Sequence, residues 1–394
     1  MKITLRTKLC FALLSFALFI NMRTGYAQDS KPVRVAVLAP LYLDSAFNGY
    51  TYKLGVNNLP KYILPGLDFY NGVMMAVDSL EKEKTKLEIW IYDTKKAGQD
   101  IHAMLKGFEY MNFSLVIASI TNATEQQALS QFSFNKSIPV ISATYPNDAT
   151  LSGNPFFAMV NPTLKTHVEG IYKYAQKNYA TAKVLYLTKT GALEDKIKAQ
   201  FTAMDTTPNR LRYKIATLAE NFTPEQLLPM LDSTKQNVIV CGTLSESFGT
   251  TLAKTMNSNG SYRTTIIGMP TWDGSKLLSA TDITKPELVY STPFNYTRND
   301  KLSANIIKNY RTKFNGRPSD MVFKGFETVY HFTKLYLQHT NDFINHLSDN
   351  DFTLVNDYEF LPVQLSPQSF VPDYLENKKL YFIKKQAGVV KSVY

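Results

Sequence analysis

Cysteine is nearly missing from this chain: its 394 residues hold two, Cys10 and Cys241. Cys10 falls in a stretch read below as a leader, so the mature chain keeps one thiol and closes no disulfide within itself. Cys241, inside NVIVCG, reads as a small buried hydrophobe. Charge of one sign is also thin: the formal excess of +10 is spread along the chain, with no run of basic residues interleaved with aromatics. That argues against nucleic acid as a partner. The familiar catalytic motifs are missing too. There is no glycine-rich phosphate loop, no G-x-G-x-x-G, no G-x-S-x-G, no cysteine pair and no His-Glu-x-x-His. The five histidines, His102, His167, His331, His339 and His346, are scattered, and each reads as a surface or capping residue. His331 and His339 stand eight apart on one expected helix, too far to share a metal easily. Acidic pairs such as Glu194-Asp195 and Asp349/Asp351 read as solvated, and no acid–base pair assembles. No catalytic residue, metal site or cofactor is therefore expected, and the chain does not read as an enzyme.

What is present begins with a leader. Lys2, Arg6 and Lys8 precede an apolar core at 9–20, and Gly25-Tyr26-Ala27 places small residues three before and one before a cut after Ala27. The core is too short to span a bilayer as a helix, so residues 1–27 are expected to be a cleaved secretory signal and the mature chain periplasmic. An N-terminal anchor helix is the alternative. Thr7-Lys8-Leu9 ahead of Cys10 lacks the small apolar residues of a lipoprotein site. Loss of Lys2, Arg6, Lys8 and Arg23 lowers the net charge by four.

The mature chain alternates strands and helices. VRVAVLA from 33 is a nearly continuous apolar run, suited to a strand covered on both faces. Phe69, Val73, Met74 and Val77 recur at helical spacing, and LEIWIYD at 87–93 is a second strand. A helix at 98–110, strand 114–120, helix 124–134 and strand 138–142 continue the series. A second series starts at Asn161-Pro162-Thr163, a helix start, and runs through strands near 184–187, 211–218, 237–241 and 264–269. Thr223-Pro224-Glu225 opens one of its helices, with Thr as the cap and Pro at the first turn. LVYSTPF at 288–294 is strand-like, helices follow at 301–314 and 321–338, and 358–365 and 379–384 look like a pair of strands. The expected fold is therefore α/β, with two doubly wound parallel-sheet lobes joined by a multi-strand hinge. Residues 32–158 plus 290–340 are assigned to lobe 1, and 159–289 plus 341–394 to lobe 2.

In open parallel sheets, ligands bind outside the carboxyl ends of the strands. Those ends carry Tyr42, Thr121, Asn122, Ser142, Ala143, Thr144 and Tyr145 in lobe 1, and Thr188, Glu246, Trp272 and Asp273 in lobe 2. Hydroxyls, amides and rings at these positions suit a small polar ligand, although loops are polar in general. Trp272, in a Pro-Thr-Trp-Asp-Gly turn, is expected to be an exposed aromatic platform. The connection from Leu41 to Pro65 is long and carries Tyr42, Tyr50, Tyr52 and Tyr62. Loops of that length are usually functional or disordered. This one is expected to overhang the cleft, and either touches the ligand or packs over lobe 1.

The ordered set VRVAVLAPL, FYNGVMMAVDSL, IYDT, LVIASITNATEQQA, IPVISATYPND, Asn161-Pro162-Thr163, VIVCG and KGFETVYHF resembles the type I periplasmic binding proteins. This is the group of the branched-chain amino acid receptors, and the likeness is to a branch typical of Bacteroidetes. The resemblance covers nearly all of the mature chain. It implies two α/β lobes joined by three crossovers, with a ligand clamped by hinge closure. It also implies that Thr121-Asn122 and Ser142-Ala143-Thr144 donate to a ligand carboxylate, and that an acid such as Glu246 holds a ligand amine. An acid near the start of the first lobe-2 helix is replaced by Thr166 or His167, and a tyrosine expected after Thr188 is missing. The expected function is solute binding, of an amino acid or related compound among the candidates, for a membrane transporter or sensor. The alternatives are an envelope scaffold with a degenerate cleft, and a hydrolase with an unrecognised site.

Overall fold

A computed structural model describes residues 32–393 apart from 57, 207–209, 276–280, 296, 299, 367 and 387–388; the expected leader, 1–27, lies outside them. β1 (Val33–Ala39) feeds an excursion made of α1 (Leu43–Ala46) and a two-stranded ribbon, β2 (Phe47–Asn48) and β3 (Thr51–Tyr52). Then follow α2 (Leu64–Lys82), β4 (Leu87–Asp93), α3 (Ile101–Phe108), β5 (Leu115–Ala118), α4 (Ala123–Lys136), β6 (Val140–Ser142) and β7 (Phe157–Met159). The next run is α5 (Leu164–Tyr179), β8 (Lys183–Thr188), α6 (Ala192–Thr202), β9 (Tyr213–Thr217), α7 (Pro224–Leu227), β10 (Asn237–Cys241), α8 (Glu246–Ser258), β11 (Thr264–Gly268) and β12 (Glu287–Thr292). The chain ends with α9 (Lys301–Phe314), α10 (Asp320–Gln338), β13 (Phe360–Val363), β14 (Tyr374–Asn377), β15 (Tyr381–Gln386) and β16 (Val389–Val393).

Local chemistry sets the helix starts. Asn122 accepts the Glu125 N–H at the head of α4, Thr163 accepts that of Thr166 at α5, and Ser245 accepts that of Phe248 at α8. Thr223 and Gln226 close a capping box at α7. The strands are buried apolar runs: residues 35–39 of β1 and all of β10 and β11 are covered. Cys241 is fully buried, as the sequence indicates. Burial pushes its thiol up to about 12.

Two seven-stranded sheets result. One runs β13-β14-β7-β6-β5-β1-β4 and the other β16-β15-β12-β11-β10-β8-β9. Counted in chain order, the first five strands of each follow the same parallel 2-1-3-4-5 pattern, with β1/β4/β5/β6/β7 matched by β8/β9/β10/β11/β12. Strand order reverses between β1 and β5 in the first sheet and between β8 and β10 in the second, and these are the points where such sheets offer a crevice. Helices cover both faces of the first sheet. α2 and α10 pack on one core with Val35, Val37 and Ile117, while α3 and α4 close the other with Leu38 and Val116.

Among the described residues the chain passes between the sheets three times, at 160–163, between β12 and α9, and at 378–380. The C-terminal segment differs from the sequence assignment of 341–394 to lobe 2. β13 and β14 join the first sheet, β14 lying parallel to β7, and only β15 and β16 join the second, β15 lying antiparallel to β12. Alternation marked the tail as strands but carries no partner information. The two expected strands sit in different sheets rather than pairing with each other.

Candidate functional site

At the first switch point one carboxylate organises the exit of β1. Asp93, the last residue of β4, accepts the N–H of Leu41 (2.9 Å), Tyr42 (3.2 Å) and Lys95 (2.9 Å) on Oδ1, and that of Leu43 (2.8 Å) on Oδ2. Tyr42 takes a left-handed conformation (φ 56°) at this turn, and its ring packs edge-on against Tyr62. The excursion is then pinned back, with Lys53 donating to Asp44 O, Ala97 N–H to Asp44 Oδ2, and Tyr52 Oη to Asn58 O. Instead of standing free, it folds over α2 and the edge strand β4. Between them lies an open-mouthed cavity of about 770 Å³, lined by Leu41, Phe47, Tyr52, Leu59, Tyr70 and Ile91 among others.

Beside it, the loop after β5 is already occupied. Glu125 in the first turn of α4 is buried and accepts both the N–H (2.8 Å) and the hydroxyl (3.0 Å) of Thr121, while Lys95 Nζ lies 2.5 Å from its other oxygen. Asn122 spends its side-chain oxygen on the helix cap. The Thr121 donors, expected to meet a ligand carboxylate, therefore meet an internal one. Ser142 and Ala143 are buried in the sheet, and Tyr145 is half-buried against the α3/α4 core. Thr144 is half-buried and donates to Ile120 O (2.7 Å), and its carbonyl accepts from Asn161 Nδ2 (2.6 Å) in the first crossing.

The second switch point repeats the device. Thr188 is buried and donates to Gly242 O (3.0 Å), and Lys189 pairs with Glu220 at 2.6 Å. Lys189, with Ser245 also donating, holds the Glu220 carboxyl below the usual range. Thr243 donates to the buried Glu194 (2.7 Å), which therefore differs from the solvated acid expected at that position. Glu246 is exposed in the first turn of α8. Asp273 accepts the Thr292 hydroxyl (3.0 Å).

Trp272 corrects its expectation outright: it is 0% exposed. The indole lies against the backbone of Gly249 and Gly268, and a Cβ on Gly268 would come within 2.2 Å of the ring. Two glycines far apart in sequence make the slot, so a turn-like context misread a core ring. His167 and His331 are likewise buried and not on the surface. Burial holds their imidazoles down to about 3 and about 4.

The crossings hold polar groups that sequence reading missed. Glu376, 1% exposed, accepts the Thr163 N–H (2.7 Å), the Thr166 hydroxyl (2.6 Å) and Lys378 Nζ (2.6 Å). Lys324 on α10 donates to Asn161 Oδ1 (2.9 Å) and stands 4.7 Å over the Phe294 ring, so it ties α10 to two crossings. Burial lowers its ammonium to about 8. Apart from the Lys378–Glu376 pair, the partners lie 30 to 213 residues apart, so no local signal could reveal them.

Two doubly wound units of identical strand order, linked by three crossings, define the two-lobe type I periplasmic-binding-protein fold. Solved structures agree on the fold. A substrate-binding protein of an ABC transporter from Desulfitobacterium hafniense, in complex with Leu, is 13% identical with a TM-score of 0.58, over 92% of this chain and 99% of its own. A putative branched-chain amino acid ABC transporter protein from Rhodospirillum rubrum is 10% identical with a TM-score of 0.67, over 92% and 100%. A fatty acid ABC transporter substrate-binding protein from Thermomonospora curvata is 12% identical with a TM-score of 0.51, over 92% and 91%. No protein-family model matches the sequence, and no curated relative matches it.

Proposed function

We propose that this chain is an exported, non-catalytic solute-binding protein that takes its ligand at the carboxyl ends of the two sheets and serves a membrane transporter or sensor. The observation that carries the reading is the duplicated 2-1-3-4-5 sheet with both switch points at strand ends. The structural neighbours named above, matched over almost their whole length, carry ABC-transporter names, two of them as substrate-binding proteins. Among the described residues no helix is long and apolar enough to cross a membrane. The two lobes would close on the ligand about the three crossings, so that binding shifts the population toward the closed form.

Capture of an amino acid through its carboxylate fits the site poorly. Glu125 takes the Thr121 donors, and a second anion beside it would meet like charge. The cavity beside the rim is largely apolar and of ligand size. Both features favour a neutral or mainly apolar solute. Thermal unfolding of the mature chain against amino acids, short peptides, sugars and fatty acids tests this. The expected result is a rise in Tm with a neutral or apolar ligand, reduced by Thr144→Ala, and none with free amino acids. An amino-acid hit would overturn the ligand class. A flat panel would favour the second reading, a scaffold whose cleft is filled by its own Lys95–Glu125 and Lys189–Glu220 pairs.

A further inference from the structure

α10 ends with His339 as its C-cap, and the short turn that follows folds back through a 3-10 helix at Phe343–His346. This lays the His346 ring flat on that of His339, with centroids 3.6 Å apart and planes 9° from parallel. Asp349 Oδ2 lies 2.7 Å from His346 Nδ1 and 3.7 Å from His339 Nε2. One donor atom from each of the three falls within 4.8 Å of the others. His339 Nε2 is shielded from solvent and has no hydrogen-bond partner among the described residues. Asp342 Oδ2 stands 3.4 Å from His346 Nε2.

We propose that His339 Nε2, His346 Nδ1 and Asp349 Oδ2 form a binding site for a transition-metal dication of the zinc class. Two bonds of about 2.0–2.2 Å meeting near the tetrahedral angle hold their donors about 3.3–3.6 Å apart. The His339–Asp349 separation is already close to that. The 2.7 Å His346–Asp349 contact is a hydrogen bond that opens as the ion enters. Parallel rings aim their lone pairs along parallel planes, so binding also turns one imidazole out of the stack.

Three features favour this ion at this place. Imidazole with carboxylate suits zinc, whereas calcium and magnesium take all-oxygen sets. Asp342 supplies the carboxylate on the second ring nitrogen that characteristically orients a metal-bound histidine. The carbonyl end of a 19-residue helix adds partial negative charge beside His339. The turn at 340–345, between His339 and His346, lines a pocket together with residues 113–114, 138–139 and 156, at the amino ends of β5, β6 and β7. The site is thus at the opposite end of the lobe from the strand-end rim and independent of the solute-binding reading.

The test is calorimetric titration of metal-stripped, tag-free mature chain with zinc chloride, paired with thermal unfolding. One ion per chain should bind and raise Tm. His339→Ala, His346→Ala and Asp349→Asn should each weaken binding at least ~10-fold, and Asp342→Asn about 10-fold. His102→Ala, on the exposed face of α3, should change nothing. Folding of each variant is checked by circular dichroism, and Asp349→Asn, which keeps its shape, decides the matter if a histidine variant fails to fold. Absence of zinc binding by the wild type, or binding that survives all three ligand substitutions, overturns the proposal.

Discussion

Thr121 offers two donors, its N–H and its hydroxyl, and both end on Glu125. A loop that reads as a ligand cradle is thereby closed by a side chain four residues on. Its second oxygen is met by Lys95, thirty residues back. Residue identity alone could not separate a donor awaiting a ligand from one already satisfied, because the difference lies in a neighbour's position. His167 makes the same point in energetic form. It is buried against Ser291, with Nδ1 at 2.9 Å from the hydroxyl, and its pKa is depressed to about 3. As pH falls below the ordinary histidine value, the unfolded chain takes up a proton that the folded chain refuses, so stability falls toward acid. Between pH 6.5 and about 3 this group costs up to ~1.4 kcal/mol per pH unit. His167→Gln should give a shallower loss of stability between pH 6 and 4, read from urea unfolding at several pH values. Parallel curves for the two proteins would contradict the assignment.

At the scale of elements, α2 and α10 approach until backbones touch. A Cβ on Gly72 would lie 2.0 Å from the Val322 carbonyl oxygen, and one on Gly325 would lie 2.1 Å from that of Phe69. Each helix thus receives the other's backbone at a glycine, which lets Phe69, Val73, Phe326 and Val329 share one core. Neither contact can yield by rotating a side chain. Gly72→Ala or Gly325→Ala should therefore destabilise by about 1–3 kcal/mol or more. Gly107→Ala, in the exposed face of α3 with open space around it, should stabilise by about 0.5–1 kcal/mol. Denaturant midpoints of the three variants decide whether the sign reverses as stated. Helical periodicity located both long helices in the sequence, but not that glycine would join them.

Across the whole molecule the polar network at the crossings is the common element. Glu376 binds the head of α5 to the third crossing, Asn377 Nδ2 donates to Val160 O (3.0 Å) in the first, and Asn295 Nδ2 donates to Val355 O (2.9 Å) from the second. A buried carboxylate facing a lysine and a helix start is costly to break, because the partners keep their charge and dipole without a counterpart. Glu376→Ala should lower stability by about 3–5 kcal/mol. The effect should exceed that of Glu88→Ala, whose ion pair with Arg34 is exposed and worth about 0–1 kcal/mol. Equal losses in equilibrium unfolding would show the network to be ornamental.

Patterns of period two and 3.6, cap residues and glycine-poor apolar runs act within a few residues. They are what let the sequence by itself determine alternating strands and helices, a second alternating series and the helix starts at Thr163 and Thr223. Pairing acts across the chain. Only the tertiary structure decided that the C-terminal strands part between two sheets, that Trp272 is core and that Thr121 meets Glu125. It alone brought His339, His346 and Asp349 together. The reason is physical: a side chain's chemistry is set by what reaches it in space, and those partners are chosen by packing, not by spacing along the sequence.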